Sequence, residues 1–370
     1  MRYNIGDFPG ELLAAIGKAE DRVARLDEVV RRSPVREGFI ERSHFFEAVA
    51  SMWVAGELVH VEDLVLRDEN RDVRTPTHEL TVAHSILMAR RRIAAADAGW
   101  ATSKPGMASL IRRPTLAAGV EMSGEGGEPS PSETISSSDE PDDDFAAELA
   151  EIDAVLDRSA RVIDAAGKAE ERKPEALVVG DLLIRDPEWD EDNRLLEWQN
   201  VVKQTNGLPA TLGAVLLWDA WENLEPLQRQ HWLGAQLVNS YVRSRGKVTS
   251  HLFCFNLGLK AVPRERRRSK SQSSRLLAGL DAMAVGAELA MKEVVRLAQA
   301  REQLERKLRD KRSSSSLPAV VELLMARPIV SSSTIKRQLN VSHRAALNLV
   351  AELGVREVTG RGRYRAWGIL

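Results

Sequence analysis

The sequence predicts a mainly α-helical protein with helical N-terminal and central domains, a long helix, and a C-terminal winged helix-turn-helix with a small β-hairpin. Three observations predict it. Apolar residues recur at spacings of three and four along most of the chain. A heptad pattern begins at Leu280. The segment Leu317 to Leu370 holds three short helical patterns, the last two capped by serines, then two strand-like stretches around a Gly-containing turn.

In the N-terminal region, residues 1–120, Leu12, Leu13, Ile16, Ala19, Val23, Leu26 and Val30 place a helix over Gly10 to Arg31. Pro34 and Gly38 punctuate the chain. A second helix is expected over Glu41 to Val54 and a third over Thr77 to Ala96, with Leu80, Ala83, Leu87 and Ile93 on one side. Glu121 to Asp144 is rich in Gly, Ser, Pro, Glu and Asp, so it reads as a disordered acidic linker that cannot bury enough surface to offset ordering entropy.

A central helical domain is expected over residues 145–275. Leu208 to Trp218 follows Gly207, is nearly all apolar, and reads as a buried helix. Five of the eight tryptophans lie between Trp189 and Trp232, a spacing that suits a core better than a stacked ligand. A long connecting helix, residues 276–312, follows. One register holds Leu280, Ala287, Val294, Arg301 and Leu308; the other holds Met283, Ala290, Leu297 and Leu304. Two readings stay open. The seam of Leu280, Met283, Ala287, Val294, Leu297, Leu304 and Leu308 pairs two chains in a homodimer, or the helix packs on its own chain.

Composition narrows the function classes. Hydrophobic residues make up 43% of the 370, so most of the chain should fold. No run approaches the roughly 18 apolar residues of a membrane span. Asp7, Glu11 and Glu20 are wrong for a signal peptide. Cys254 is the only cysteine, which excludes an internal disulfide and a thiolate metal cage. A cytoplasmic, nucleoid-associated protein is the expectation. The net charge of −2 hides an asymmetry: Lys260 to Leu370 holds 23 Lys+Arg against 10 Asp+Glu, a net of +13. Such a split suggests a polyanion-binding end on an acidic body.

Within the terminal module, Pro318 to Met325 reads as a first helix. Ser331 to Ser333 offer caps to a second, which ends at Leu339. Ser342 caps a third helix that runs to Leu353, and Gly354 ends it. Ala346, Leu349, Val350 and Leu353 form its packing face. That leaves Ser342, His343, Arg344 and Asn348 exposed on the part a recognition helix inserts into the major groove. Arg suits guanine O6 and N7, and Asn suits adenine N6 and N7. Lys336 and Arg337 on the second helix join this DNA-binding set. Arg356 to Thr359 and Tyr364 to Ile369 flank a basic tip, whose Arg361, Arg363 and Arg365 suit phosphates or the minor groove. Tyr364 and Trp367 are expected to anchor the hairpin. A further basic cluster, Arg264 to Lys270, fits either a DNA backbone or a solvated loop.

The phrase Leu257-Gly-Leu-Lys-Ala-Val-Pro-Arg-Glu-Arg-Arg-Arg268 resembles a bacterial family of unassigned activity that joins a helical domain to a C-terminal helix-turn-helix. The likeness covers most of the chain. The layout also resembles Fic-type adenylyltransferases that end in a winged helix, to whose wing Arg356-Glu-Val-Thr-Gly-Arg361 is similar. That family's Ser-x-x-x-Glu-Gly inhibitory motif falls on Ser51 to Gly56, with Ala55 in place of the glutamate. Its catalytic loop falls on Leu224 to Trp232, ahead of the helix Leu233 to Tyr241. The general-base histidine, metal-binding acid and phosphate-cradling glycines are missing there. The resemblance therefore implies a scaffold without the nucleotide transfer.

Other catalytic signals are weak. His78 and His84 are six apart on a helix and face different sides. Cys254 lies between Phe253 and Phe255 and reads as a buried thiol. No Walker loop, zincin motif or nucleophile elbow is present. No catalytic residue, cofactor or metal is expected. The sequence favours a sequence-specific double-stranded DNA-binding protein that regulates transcription. The alternatives are an enzyme with a degenerate Fic-like or unrecognised site in Asp144 to Lys260, or a protein-interaction adaptor. A deep polar pocket with convergent acids and a histidine would favour the enzyme; a solid Trp-lined core would favour regulator or adaptor.

Overall fold

In the computed structural model, the residues described are 10–69, 75–111, 189–309, 316–359 and 365–369. The acidic stretch Glu121 to Asp144 lies outside them. All described residues belong to one compact unit.

The longest helix, α11 (Gln272–Leu308), organises the body. At ~1.5 Å per residue it is about 55 Å long. It begins eight residues before Leu280 because the Ser271 hydroxyl caps it, accepting from the Ser274 N–H at 3.4 Å. Lying along it is α1 (Glu11–Arg32), whose Leu12, Ile16, Ala19, Val23, Leu26 and Val30 are buried. Leu280, Met283, Ala287, Val294, Leu297 and Leu304 are buried too, and Leu308 packs partly buried on the same core. The heptad stripe is thus covered within one chain: of the two readings left open, the helix packs on its own chain, and these buried residues are not free to form the seam of a homodimer. Arg301, the break in the stripe, turns aside to Glu305 at 2.8 Å, Glu322 at 3.0 Å and the Pro34 carbonyl at 2.9 Å.

The second helix, α2 (Arg36–Ala55), starts five residues before the expected Glu41. Gly38 is not a stop signal but a contact point: a Cβ there would lie 2.8 Å from the Met325 carbonyl oxygen. Next come α3 (Val61–Asp68), α4 (His78–Ala95) and α5 (Lys104–Ile111). Phe45, Ala48, Leu64, Ala83, Ile86 and Leu87 join α2, α3 and α4.

Beyond the gap stand α6 (Glu191–Gln204), α7 (Ala210–Leu224), α8 (Leu233–Ser244), α9 (Phe255–Leu259) and α10 (Arg264–Arg267). Helix α7 is buried nearly all round, as its apolar run predicts. Trp198, Trp218 and Trp221 fill the core. Trp198 and Trp221 meet edge to face at 5.4 Å. Their ring N–H groups donate to the Leu217 carbonyl at 2.9 Å and the His231 carbonyl at 3.0 Å. Helix α9 presses on α11 through Gly258, where a Cβ would sit 1.9 Å from the Ala282 oxygen. No helix among the described residues is long and apolar enough to cross a membrane.

Candidate nucleic-acid interface

The C-terminal module begins with α12 (Leu317–Ala326), which carries Pro318 in its first turn, where no N–H partner is needed. A two-residue strand, β1 (Val330–Ser331), leads into α13 (Ser332–Leu339). The Ser331 hydroxyl caps α13 by accepting from the Thr334 N–H at 3.1 Å. Asn340, with φ of 50°, ends that helix in the left-handed region. Helix α14 (His343–Leu353) follows, capped by Ser342 through the Ala345 N–H at 3.1 Å and ended by Gly354 at φ of 57°. These are the helices and caps the sequence predicts.

Helix α14 buries Ala346, Val350 and Leu353 and packs on α13, which buries Ile335. Ser342, His343, Arg344 and Asn348 are exposed, as are Lys336 and Arg337. Arg344 and Asn348 are four apart, hence on one side of the helix. The structure therefore brings these six predicted residues to the surface of α13 and α14.

The hairpin is more elaborate than predicted. Strand β2 (Ala366–Trp367) pairs antiparallel with β1, placing Val330 opposite Trp367. On its other side Trp367 bridges to Glu357, and the Val358 N–H donates to the Ala366 carbonyl at 2.9 Å. Sequence reading missed β1. Its signal was the β-branched pair Ile329-Val330 between Pro328 and the Ser331 cap. Trp367 is buried as expected. Arg361, Arg363 and Tyr364 lie outside the described residues. Arg365 is not a free cation: it donates to Glu357 at 2.7 and 3.0 Å and lies 5.3 Å over the Trp367 ring. The Arg365 guanidinium lowers the Glu357 pKa, and Glu357 raises that of Arg365.

The module is clamped to the body. Arg42, fully buried in α2, donates to the carbonyls of Arg327 at 2.6 Å, Ile369 at 2.7 Å and Leu324 at 3.4 Å. It thereby takes up carbonyls around the C-terminal end of α12. Burial lowers its pKa to about 10, opposed by Glu293 and helped by Arg296. Glu69, at the end of α3, accepts from Arg327 at 2.7 Å and from the Thr334 hydroxyl. The Lys307 ammonium donates to the Leu353 carbonyl.

Acids and histidines also converge inside the body, but packing encloses them. The Glu47 carboxylate is fully buried. It accepts from the N–H groups of Asn256 at 2.9 Å and Leu257 at 3.0 Å, and from the Asn256 and Asn239 amides at 3.1 and 3.2 Å. Burial raises its pKa against the pull of Arg90 and these donors. Arg90, 4.0 Å away, donates to Gln236 at 2.9 Å and to the Phe253 carbonyl at 3.2 Å. Burial pushes the Cys254 thiol up to about 12 and lowers His251 to about 4. Sequence reading missed Glu47 and Arg90, which carry no local signal. Of the positions tied to the Fic likeness, Ala55 ends α2 and Leu224 to Trp232 runs through the α7–α8 connection, where His231 lies 2.9 Å from Glu222.

Fold and surface together define a helix-turn-helix DNA-binding protein whose body, among the described residues, is built of helices. Residues 183–309 match a family model described as a protein of unknown function, DUF1612. Residues 317–370 match one described as an HTH DNA binding domain. The chain is 45% identical over 366 residues to Uncharacterized protein y4cF of Sinorhizobium fredii (strain NBRC 101917 / NGR234), covering 94% of this chain and 93% of that protein. This chain belongs to the same family as that protein, and in it a DUF1612 domain precedes the helix-turn-helix. Neither family match carries the Fic likeness.

Proposed function

We propose that this protein is a sequence-specific double-stranded DNA-binding protein of the cytoplasm that regulates transcription, with residues 317–370 as a winged helix-turn-helix reader. In this reading the N-terminal part of α14 enters the major groove. Arg344 pairs with a guanine edge and Asn348 with an adenine edge. Ser342, His343, Lys336 and Arg337 meet the phosphates beside it, and Arg361, Arg363 and Arg365 form the wing contact. The observation that carries this reading is the exposed polar side of α14 set opposite its buried Ala346, Val350 and Leu353. Among the described residues, neither Arg344 nor Lys336 nor Arg337 is held by an acid.

Selection of bound duplexes from random DNA with the full chain tests it. A recurring sequence is expected, with its preference altered by Arg344→Ala. Failure to enrich any sequence would overturn the reading.

A further inference from the structure

A second basic surface lies on the body. Lys260, Arg264, Arg266, Arg267, Arg268 and Lys270 fall within 11 residues that hold a single acid, Glu265. The chain turns after α9, forms the short α10, and enters α11 at the Ser271 cap. That path leaves five of the six cations exposed and Arg267 half-buried. Among the described residues, only Arg266 of the six has an acid at ion-pair distance, Asp281 at 2.8 Å.

Trp53, in the last turn of α2, is 41% exposed, and two of the cations lie over it. The Lys260 ammonium lies 5.6 Å and the Arg267 guanidinium 5.9 Å from its ring. The indole gives these cations an apolar, electron-rich neighbour while their charge stays near water. Burial, then the neighbouring Arg268, lowers the Arg267 pKa; Glu222 and Glu265 oppose this, and Arg264 adds to it. The surface thus holds cationic charge that its own residues do not fully neutralise.

Its position relative to the reader is fixed by α2. Arg42 ties that helix to α12 and to Ile369. Trp53 stands eleven residues farther along, about 16 Å at 1.5 Å per residue.

We infer that the exposed surface of Lys260, Arg264, Arg268 and Lys270, with Lys260 over Trp53, is a second DNA contact, gripping the phosphate backbone of the duplex whose bases α14 reads. This rests on the DNA-binding reading above and adds a contact outside the helix-turn-helix. Duplex phosphate is the favoured partner because a rigid helix joins this surface to the reader and because the surface offers charge without a base-reading pocket.

The test uses the full chain and ~30-base-pair duplexes, with and without the selected site, over a range of salt. Each phosphate neutralised contributes about 0.9 to the slope of log affinity against log salt. Changing Lys260, Arg264, Arg268 and Lys270 together to Gln should lower that slope by about 2 to 3.5. Affinity for both duplexes should fall about tenfold or more, with base preference unchanged. The pair Arg264→Lys and Arg268→Lys should keep the slope, while Arg344→Ala should change preference with the slope nearly intact. Arg268→Glu alone provides a second variant in case the fourfold change unfolds the chain, and it should weaken both duplexes. An unchanged slope in folded variants would overturn the inference. So would a loss confined to single-stranded RNA or heparin. A wild-type chain that binds no duplex at all would overturn the DNA-binding reading itself.

Discussion

Polar residues gather in two regions of this molecule, around Glu47 in the body and along α14 in the terminal module. In the body the groups are enclosed and mostly matched: Glu47 accepts four hydrogen bonds and Arg90 is shared among an amide and carbonyls, while Arg90 Nε, Gln236 Nε2 and His44 Nδ1 are left without a partner among the described residues. Buried charges of this kind must be paired to be tolerated, and packing closes what capacity remains off from a ligand. On α14 the groups are exposed, and Arg344 has no acid beside it among the described residues. The contrast teaches that clustering of polar residues does not mark a site; unspent hydrogen-bonding capacity at the surface does.

The sharpest way to break this contrast is to remove a buried partner. Glu47→Ala leaves Arg90 uncompensated and should cost about 3–5 kcal/mol in urea denaturation. A stability close to wild type would show that the cluster is not structural. Next in size is the clamp. Arg42→Met strands carbonyls of Leu324, Arg327 and Ile369 and should cost about 2–4 kcal/mol by the same measurement.

On the other side of the comparison, Arg344→Ala and Asn348→Ala should each weaken binding to a selected site by about 1–3 kcal/mol, read by titration. Their melting temperatures should match wild type. Changing Arg361, Arg363 and Arg365 together to Ala should weaken binding to all sequences and flatten the salt dependence. Unchanged affinity in that variant would remove the wing from the mechanism.

The smallest effect separates the two regions by pH. Burial holds His251 at about 4 in the fold, against an ordinary 6.5, so the unfolded chain binds its proton first. Its contribution to stability is present above pH 6.5 and should be lost as pH falls toward 4. Burial alone would raise the Asp27 carboxyl, but hydrogen bonds from Ser250 and Thr249 bring it from 3.8 to about 2. Its contribution is present above 3.8 and lost as pH falls toward 2. Asp27→Asn should flatten the acid limb of a stability profile there. An identical limb in the variant would dismiss this assignment.

Much of the terminal module was legible in the chain. Serine caps, Gly354 and short apolar spacings act within a few residues, so α13 and α14 could be placed before any tertiary contact was known. The exposed side of α14 followed from the same periodicity. Strand β1 escaped because two residues cannot show an alternation, and its partner lies far along the chain. Arg42 and Glu69 escaped because their partners are more than 250 residues away in sequence.

The sequence by itself determined that the stripe from Leu280 to Leu308 must be buried, since apolar residues at that spacing cannot face water as a row. It could not say what buries them. A second copy and a preceding helix of the same chain offer the stripe the same apolar surface. Only the tertiary structure decided for α1, whose buried face runs along α11 and leaves Arg301 to pair at the edge. It also decided that Gly38 sits inside a helix, because a close approach to Met325 is a property of two segments that no local pattern records.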